Sequence, residues 1–268
     1  MNTDTPLNVE KKGHIAWVTL NRPAKRNALN IATLEQLLEV FGDLDKDDHV
    51  RVIVMKGEGK SFCAGLELSD LAGLIEKTTA DYREKLRRFI VYGQSSANSI
   101  AECHKPVIAA VHGYCVGGGV DLVCACDIRL ATKDALFSIR ETRLALVADL
   151  GTLQRLPKLI GESWARELAL TGRDFSGEEA LKIGFVTNLC ENRESLLEKG
   201  GDVAEEIAAN SPLAVQGVKD TMRFSSEHGV SAGLRYVAQK NAAILISEDG
   251  FEALTAAMEK RKPVFKGR

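Results

Sequence analysis

The sequence predicts an α/β fold followed by a helical C-terminal region. Two observations carry this expectation: strand and helix patterns alternate through most of the first two hundred residues, and four helical patterns then follow with little β signal between them. A third places the centre of the fold. The stretch Val107–Thr152 runs from a short apolar segment into three consecutive glycines and then carries carboxylates at Asp121, Glu141 and Asp149.

Taken in order, Leu7–Lys11 and Ile15–Leu20 flank the turn signal Lys12–Gly13 and predict a hairpin. Residues 21–30, NRPAKRNALN, form a polar loop whose Lys25 and Arg26 face solvent or meet a phosphorylated ligand. From Ile31 to about Asp47, apolar residues at Leu34, Leu37, Leu38, Phe41 and Leu44 keep the helical period. Val52–Met55 fits a buried strand. The loop 57–71, GEGKSFCAGLELSDL, is rich in small residues and ends near a potential N-cap at Ser69. A long helix, Asp81–Cys103, places Leu86, Phe89, Ile90 and Ile100 on apolar positions and stops before Pro106.

The apolar run Val107–Val111 is strand-like, and Gly117, Gly118 and Gly119 strip side chains from the turn after it, so backbone N–H groups can meet a ligand closely. Leu122–Cys126 suits a buried helix start, whose dipole favours negative charge nearby. A second backbone-donor site is expected at Ala64–Gly65. Further on, helical segments are expected at 151–161, Ser163–Thr171 and Gly177–Ile183, the last opened by the capping-box spacing of Ser176 and Glu179. Leu196–Ala209, Pro212–Ser226, Val230–Ile246 and Asp249–Lys260 complete the chain; Pro212 follows Ser211 as N1 follows an N-cap, and Asp249 with Glu252 repeats the capping spacing. The resulting division is residues 1–207 as the core with the site and 208–268 as a helical region that folds back or packs on neighbouring subunits.

With 268 residues, 45% of them hydrophobic, the chain can bury a full core. A net charge of −2 gives no electrostatic reason to expect nucleic acid or an anionic membrane as partner. No run approaches the length of a membrane span, and MNTDTPLNVEKKG has the pattern of neither a secretory signal nor a transit peptide. The six cysteines lack paired zinc spacings and read as reduced core thiols. A cytoplasmic location is expected, or an organelle lumen if a signal outside these patterns directs the chain there.

The combination HGYCVGGGVDLVCACDIRLAT, preceded by SFCAGLEL and followed by ETRLALVADLGTLQRLPKLIG, resembles the crotonase (enoyl-CoA hydratase/isomerase) superfamily, from about Val9 to Lys266. The resemblance implies a spiral of ββα units, a C-terminal helical trimerisation region, and assembly as a trimer or dimer of trimers. It implies chemistry on acyl-CoA thioesters in fatty-acid β-oxidation, with coenzyme A entering as part of the substrate and no metal or other cofactor. The two N–H donors of the oxyanion hole would be Ala64 and Gly118. Lys25, Arg26 and Ala28 would lie at the nucleotide end. Residues Ala64, Gly65, Leu66, Glu67 and Leu68 would run along the pantetheine, Gly118 and Gly119 would also bind the substrate, and Lys260 would reach the phosphates from a neighbouring subunit. Leu66 and Glu67 depart from the Ala-Asp usual in this loop.

Hydratases of this superfamily use two glutamates, one just after the glycine triplet and one about twenty residues later. This chain has Asp121 and Glu141 at those places, and a third acid, Asp149, where hydratases usually carry glycine. That pattern is similar to the Δ3,5-Δ2,4-dienoyl-CoA isomerases, with Glu141 near C2, Asp149 near C6 and Asp121 orienting, polarising or holding a water. Eight residues of helix would leave Glu141 and Asp149 roughly 80° apart, so a turn or an irregular RLALVA segment is needed to aim both at one acyl chain. Plainer roles stand beside these: Asp149 as N-cap of a helix at Leu150–Leu159, Glu141 in surface ion pairs with Arg140 and Arg143, Asp121 as a helix cap, Asp127 paired with Arg129, and His104 and His112 as satisfied structural histidines. An enoyl-CoA hydratase and a non-catalytic acyl-CoA binding protein are the alternative functions.

Overall fold

The computed structural model describes residues 5–67 and 79–268. Strands β1 (Leu7–Lys12) and β2 (Ile15–Leu20) form the predicted hairpin. Helix α1 (Ile31–Lys46) follows, capped by the Asn30 side chain accepting from the Thr33 N–H. Next come β3 (Val52–Gly57), β4 (Ser61–Cys63) and α2 (Ala80–Glu102), then β5 (Val107–Val111), β6 (Tyr114–Val116) and α3 (Gly118–Ala125). The third such unit is β7 (Ile128–Thr132), β8 (Leu136–Ser138), α4 (Thr152–Ile160) and α5 (Glu162–Thr171). In each unit the first strand joins a six-stranded sheet, β1-β2-β3-β5-β7 with β10 (Asn188–Cys190) at its edge, parallel throughout except for β1. The second strand joins a smaller sheet, β4-β6-β8, closed by the antiparallel β9 (Asp174–Ser176). This repeated stepping from large sheet to small sheet to helix is the spiral of ββα units.

The inner strands of the large sheet, β2, β3, β5 and β7, are buried on both faces, so they read as largely apolar runs rather than as alternation, while β1 at the edge is mostly exposed. Val52, Val54, Ile108 and Leu130 pack under α7 (Arg193–Ala208), while Ile53, Met55, Ala109 and Ala131 face the main core of α1, α2, α3 and the small sheet. Behind the small sheet, Phe137, Phe175 and Phe185 pack with ring centroids 5.3–5.9 Å apart. Each fully buried side chain of this size contributes about 1.5–3 kcal/mol.

Between β9 and β10 lies α6 (Gly177–Lys182), capped by Ser176 as predicted; the Glu179 carboxylate goes to Arg173. The chain ends in α8 (Pro212–His228), α9 (Val230–Leu245) and α10 (Glu248–Glu259). These helices bury little, and Met222, Leu234, Leu245, Phe251, Leu254 and Met258 are exposed. The last residues are tied back by Arg51, which donates to the Ala208 and Phe265 carbonyls at 2.9 and 2.8 Å.

Several local expectations are corrected. Helix α3 starts at Gly118, four residues before the expected Leu122, so the glycine triplet is largely the first turn of the helix. Ser247, not Asp249, caps α10; buried Asp249 accepts from the Ser211 hydroxyl and the Lys266 N–H, which also leaves α8 without a Ser211 cap. Asp127 pairs with Lys219 at 2.7 Å, and Arg129 donates to the Phe185 and Cys126 carbonyls instead of meeting Asp127. Ser69 lies outside the described residues.

Candidate active site

The site begins with main-chain geometry. Gly113 and Gly117 both have positive φ, 55° and 53°, turning the chain from β5 into β6 and from β6 into α3. At Gly113 an added Cβ would lie 2.2 Å from the Lys60 carbonyl oxygen. At Gly117 it would lie 3.1 Å from Glu141 Oε1, so only glycine leaves that carboxylate its place. Gly118 opens α3, and its N–H has no intrahelical acceptor. Gly119 serves packing: a Cβ there would sit 2.9 Å from the Cys63 Cβ, which makes it a contact of α3 with β4.

The second small-residue loop meets this turn through Leu66. A two-residue parallel bridge joins Leu29 to Leu66: the Leu29 N–H donates to the Gly65 carbonyl at 2.7 Å and the Glu67 N–H donates to the Leu29 carbonyl at 2.8 Å. Because N–H groups alternate in direction along extended chain, the Leu66 N–H points to the side opposite Leu29. A Cβ built on Gly118 would lie 3.8 Å from the Leu66 nitrogen. The Ala64 N–H, expected as an oxyanion donor, is spent on the Arg26 carbonyl at 3.0 Å. That assignment is therefore corrected: among the described residues, the loop amide beside Gly118 that no acceptor takes belongs to Leu66.

The three acids share one cavity of about 160 Å³ with Gly118. Leu86, Phe89, Ile90 and Gly93 of α2 form an apolar wall, and Val147, 71% exposed, borders it where it reaches solvent. Glu141 begins a 3-10 turn, Glu141–Leu144, and Ala145 follows with φ 57° in the left-handed region. This is the irregular RLALVA segment that aiming Glu141 and Asp149 together requires. Burial, helped by the charges of Asp121 and Asp149, pushes the Glu141 carboxyl from 4.5 up to about 7, and its Oε2 is buried without a hydrogen-bond partner among the described residues. Arg140 turns away to Asp174, so the surface-ion-pair role for Glu141 is set aside.

Asp121 is 1% exposed, and burial lifts it from 3.8 to about 6 against the opposing pull of its hydrogen bond from Thr152. That bond, from the Thr152 N–H to Asp121 Oδ1 at 2.6 Å, caps α4. Capping, expected either for Asp149 on this helix or for Asp121 on its own, is thus done by Asp121 across the fold. Asp149 precedes the N-cap position, Gly151, and burial raises its carboxyl as well.

The other predicted residues spread outward from this cavity. A 3-10 turn at Pro23–Lys25 and positive φ at Arg26 shape the 21–30 loop, which the Asn27 amide pins to the Glu58 and Ser61 carbonyls at 2.9 and 2.8 Å. Lys25 is exposed near Glu67 at 3.4 Å, and Arg26 lies 5.9 Å from the Tyr114 ring. Arg22 donates to Glu67 at 2.7 Å and holds that carboxyl below its usual range, so Glu67 faces the 21–30 loop; Arg22 also donates to the buried Ala28 carbonyl. Lys260 ends α10 in a left-handed conformation, exposed and away from the cavity lining in the single chain. Leu68 lies outside the described residues. His104 and His112 are held by Asp45 and the Gly59 carbonyl, as structural histidines.

A family model described as "Enoyl-CoA hydratase/isomerase" matches residues 10–268. The chain belongs to the enoyl-CoA hydratase/isomerase family. Within this family, it is 46% identical over 251 residues to the peroxisomal Delta(3,5)-Delta(2,4)-dienoyl-CoA isomerase of Arabidopsis thaliana, covering 92% of this chain and 90% of that protein. It is 41% identical over 256 residues to the mitochondrial Delta(3,5)-Delta(2,4)-dienoyl-CoA isomerase of Dictyostelium discoideum, covering 94% and 87%. Among solved structures, the enoyl-CoA hydratase from Bacillus anthracis superposes with a TM-score of 0.92 at 34% identity, covering 98% of this chain and all of that one. The crotonase fold and family inferred from the glycine triplet and its downstream acids are thereby established for this chain.

Proposed function

We propose that this family member is a dienoyl-CoA isomerase that converts a 3,5-dienoyl-CoA into the 2,4-dienoyl-CoA. The observation that carries this is the third acid: Asp149 shares one apolar cavity with Glu141 and Asp121, beside the Gly118 amide. Glu141 takes a proton from C2, and the electron pair moves onto the thioester oxygen. The Leu66 and Gly118 N–H groups stabilise that oxyanion; losing one such donor typically costs about 2.7–4 kcal/mol of barrier. Asp149 then donates a proton at C6, both double bonds move one carbon toward the thioester, and solvent restores the two acids to their starting protonation. Burial supports these roles, because it brings carboxyls toward the pH at which they can both take and give a proton. Lys25 and Arg26 are assigned to the nucleotide end of coenzyme A, with Lys260 reaching it from a neighbouring copy. Helices α8–α10 are assigned to self-association.

A hydratase reading has one observation in its favour: Asp121 and Glu141 both reach the cavity, where a water between them would have two acceptors. Ultraviolet absorbance separates the two. With 3,5-dienoyl-CoA the isomerase develops the longer-wavelength band of the conjugated 2,4-dienoyl thioester; with 2-enoyl-CoA a hydratase loses the enoyl band, and a binder changes neither. Asp149→Asn is expected to lower isomerisation by at least about a hundredfold with the fold and thioester binding retained. A fully active Asp149→Asn enzyme would overturn the assignment.

A further inference from the structure

Among the described residues, no side chain hydrogen-bonds the Asp149 carboxylate, so its aim depends on the main chain that carries it. That main chain is gripped from α2. The Gln94 side-chain amide donates to the Asp149 carbonyl at 2.9 Å. One turn along the same face, Asn98 Oδ1 accepts from Arg155 Nη2 at 2.5 Å, and Arg155 Nη1 reaches the Leu150 carbonyl at 3.3 Å. The guanidinium lies where a side chain on Gly151 would be, 1.8 Å from the Cβ position, at a residue with φ 123°. Two consecutive carbonyls, Asp149 and Leu150, are thus held by one helix face, one directly and one through Arg155.

We propose that Gln94, Asn98 and Arg155 are positioning residues that aim the Asp149 carboxylate at the far end of the dienoate; this rests on the isomerase reading of Asp149. The dienolate has two fates. It accepts a proton at C6 from Asp149 and becomes product, or it takes a proton back at C2 from Glu141 and returns as substrate. Loosening the clamp slows the first and leaves the second. Misplacement of a reacting group by about 1 Å can cost a hundredfold in rate, so an effect of tenfold or more is expected.

The test is run in deuterated water with 3,5-dienoyl-CoA, comparing deuterium at C2 of recovered substrate with isomerisation to the 2,4-dienoyl-CoA. Gln94→Met removes the donor at similar size, and Asn98→Leu removes the Arg155 anchor. Each is expected to raise the ratio of C2 exchange to isomerisation at least about tenfold, with KM within about twofold of wild type. The ratio is internal to each turnover, so partial unfolding of either variant leaves it unmoved. An unchanged ratio in both variants overturns the clamp. Asp149→Asn serves as the reference: wild-type isomerisation there sinks the underlying assignment, whereas its loss with unchanged ratios in the other two sinks the clamp alone.

Discussion

At the scale of single residues, Glu141 shows how burial sets both reactivity and stability. Its proton is bound more tightly in the folded chain, at about 7, than at its ordinary 4.5. The folded state therefore carries no penalty from this group below 4.5, and loses stability as pH rises through 7 and a buried carboxylate forms with one oxygen, Oε2, left without a partner among the described residues. Glu141→Gln is thus expected to raise the thermal midpoint at pH 8.5 by about 2–4 °C and to change it little at pH 4, as followed by scanning calorimetry. An equal shift at both pH values would rule out ionisation as the cause. The acids themselves were legible in the sequence, because spacing after a glycine triplet marks them. The donor at Leu66 was not, since the direction of its N–H is set by a bridge to Leu29 that no local pattern encodes. Gln94 was equally hidden: a lone glutamine on a long helix carries no mark of the carbonyl it meets.

At the scale of elements, the hydrogen bond from Thr152 to Asp121 makes one side chain serve both a cavity and a helix end. Asp121→Ala leaves the Thr152 N–H of α4 without its acceptor, whereas Asp121→Asn keeps an acceptor and removes the same charge. The alanine variant is expected to be less stable than the asparagine variant by about 1 kcal/mol in urea denaturation at pH 7. Equal stability would show that the cap contributes nothing. Long elements were readable: Ile15–Leu20 and Val107–Val111 match their apolar runs residue for residue. The small sheet was missed because β4, β6, β8 and β9 are three residues each, too short to display a period of two. The start of α3 was misplaced because glycines disfavour helix locally, and only close packing against Cys63 and Leu29 explains their presence in its first turn.

At the scale of the whole molecule, α8–α10 leave large apolar side chains in solvent, among them Met222, Phe251, Leu254 and Met258 at 64–78% exposure. A face of that kind is expected to be covered by further copies of the chain. Sedimentation velocity should find wild type as a trimer or hexamer, and the double substitution Leu254→Asp with Met258→Asp should shift it toward monomer; a monomeric wild type would rule this out. The two amides beside the cavity and the three acids within it come from segments spread between residues 66 and 149 that meet in the folded chain. Turnover should therefore return, when the chain refolds from denaturant, only with the last shell of tertiary structure, and the enzyme's own catalysis becomes a clock for completed folding.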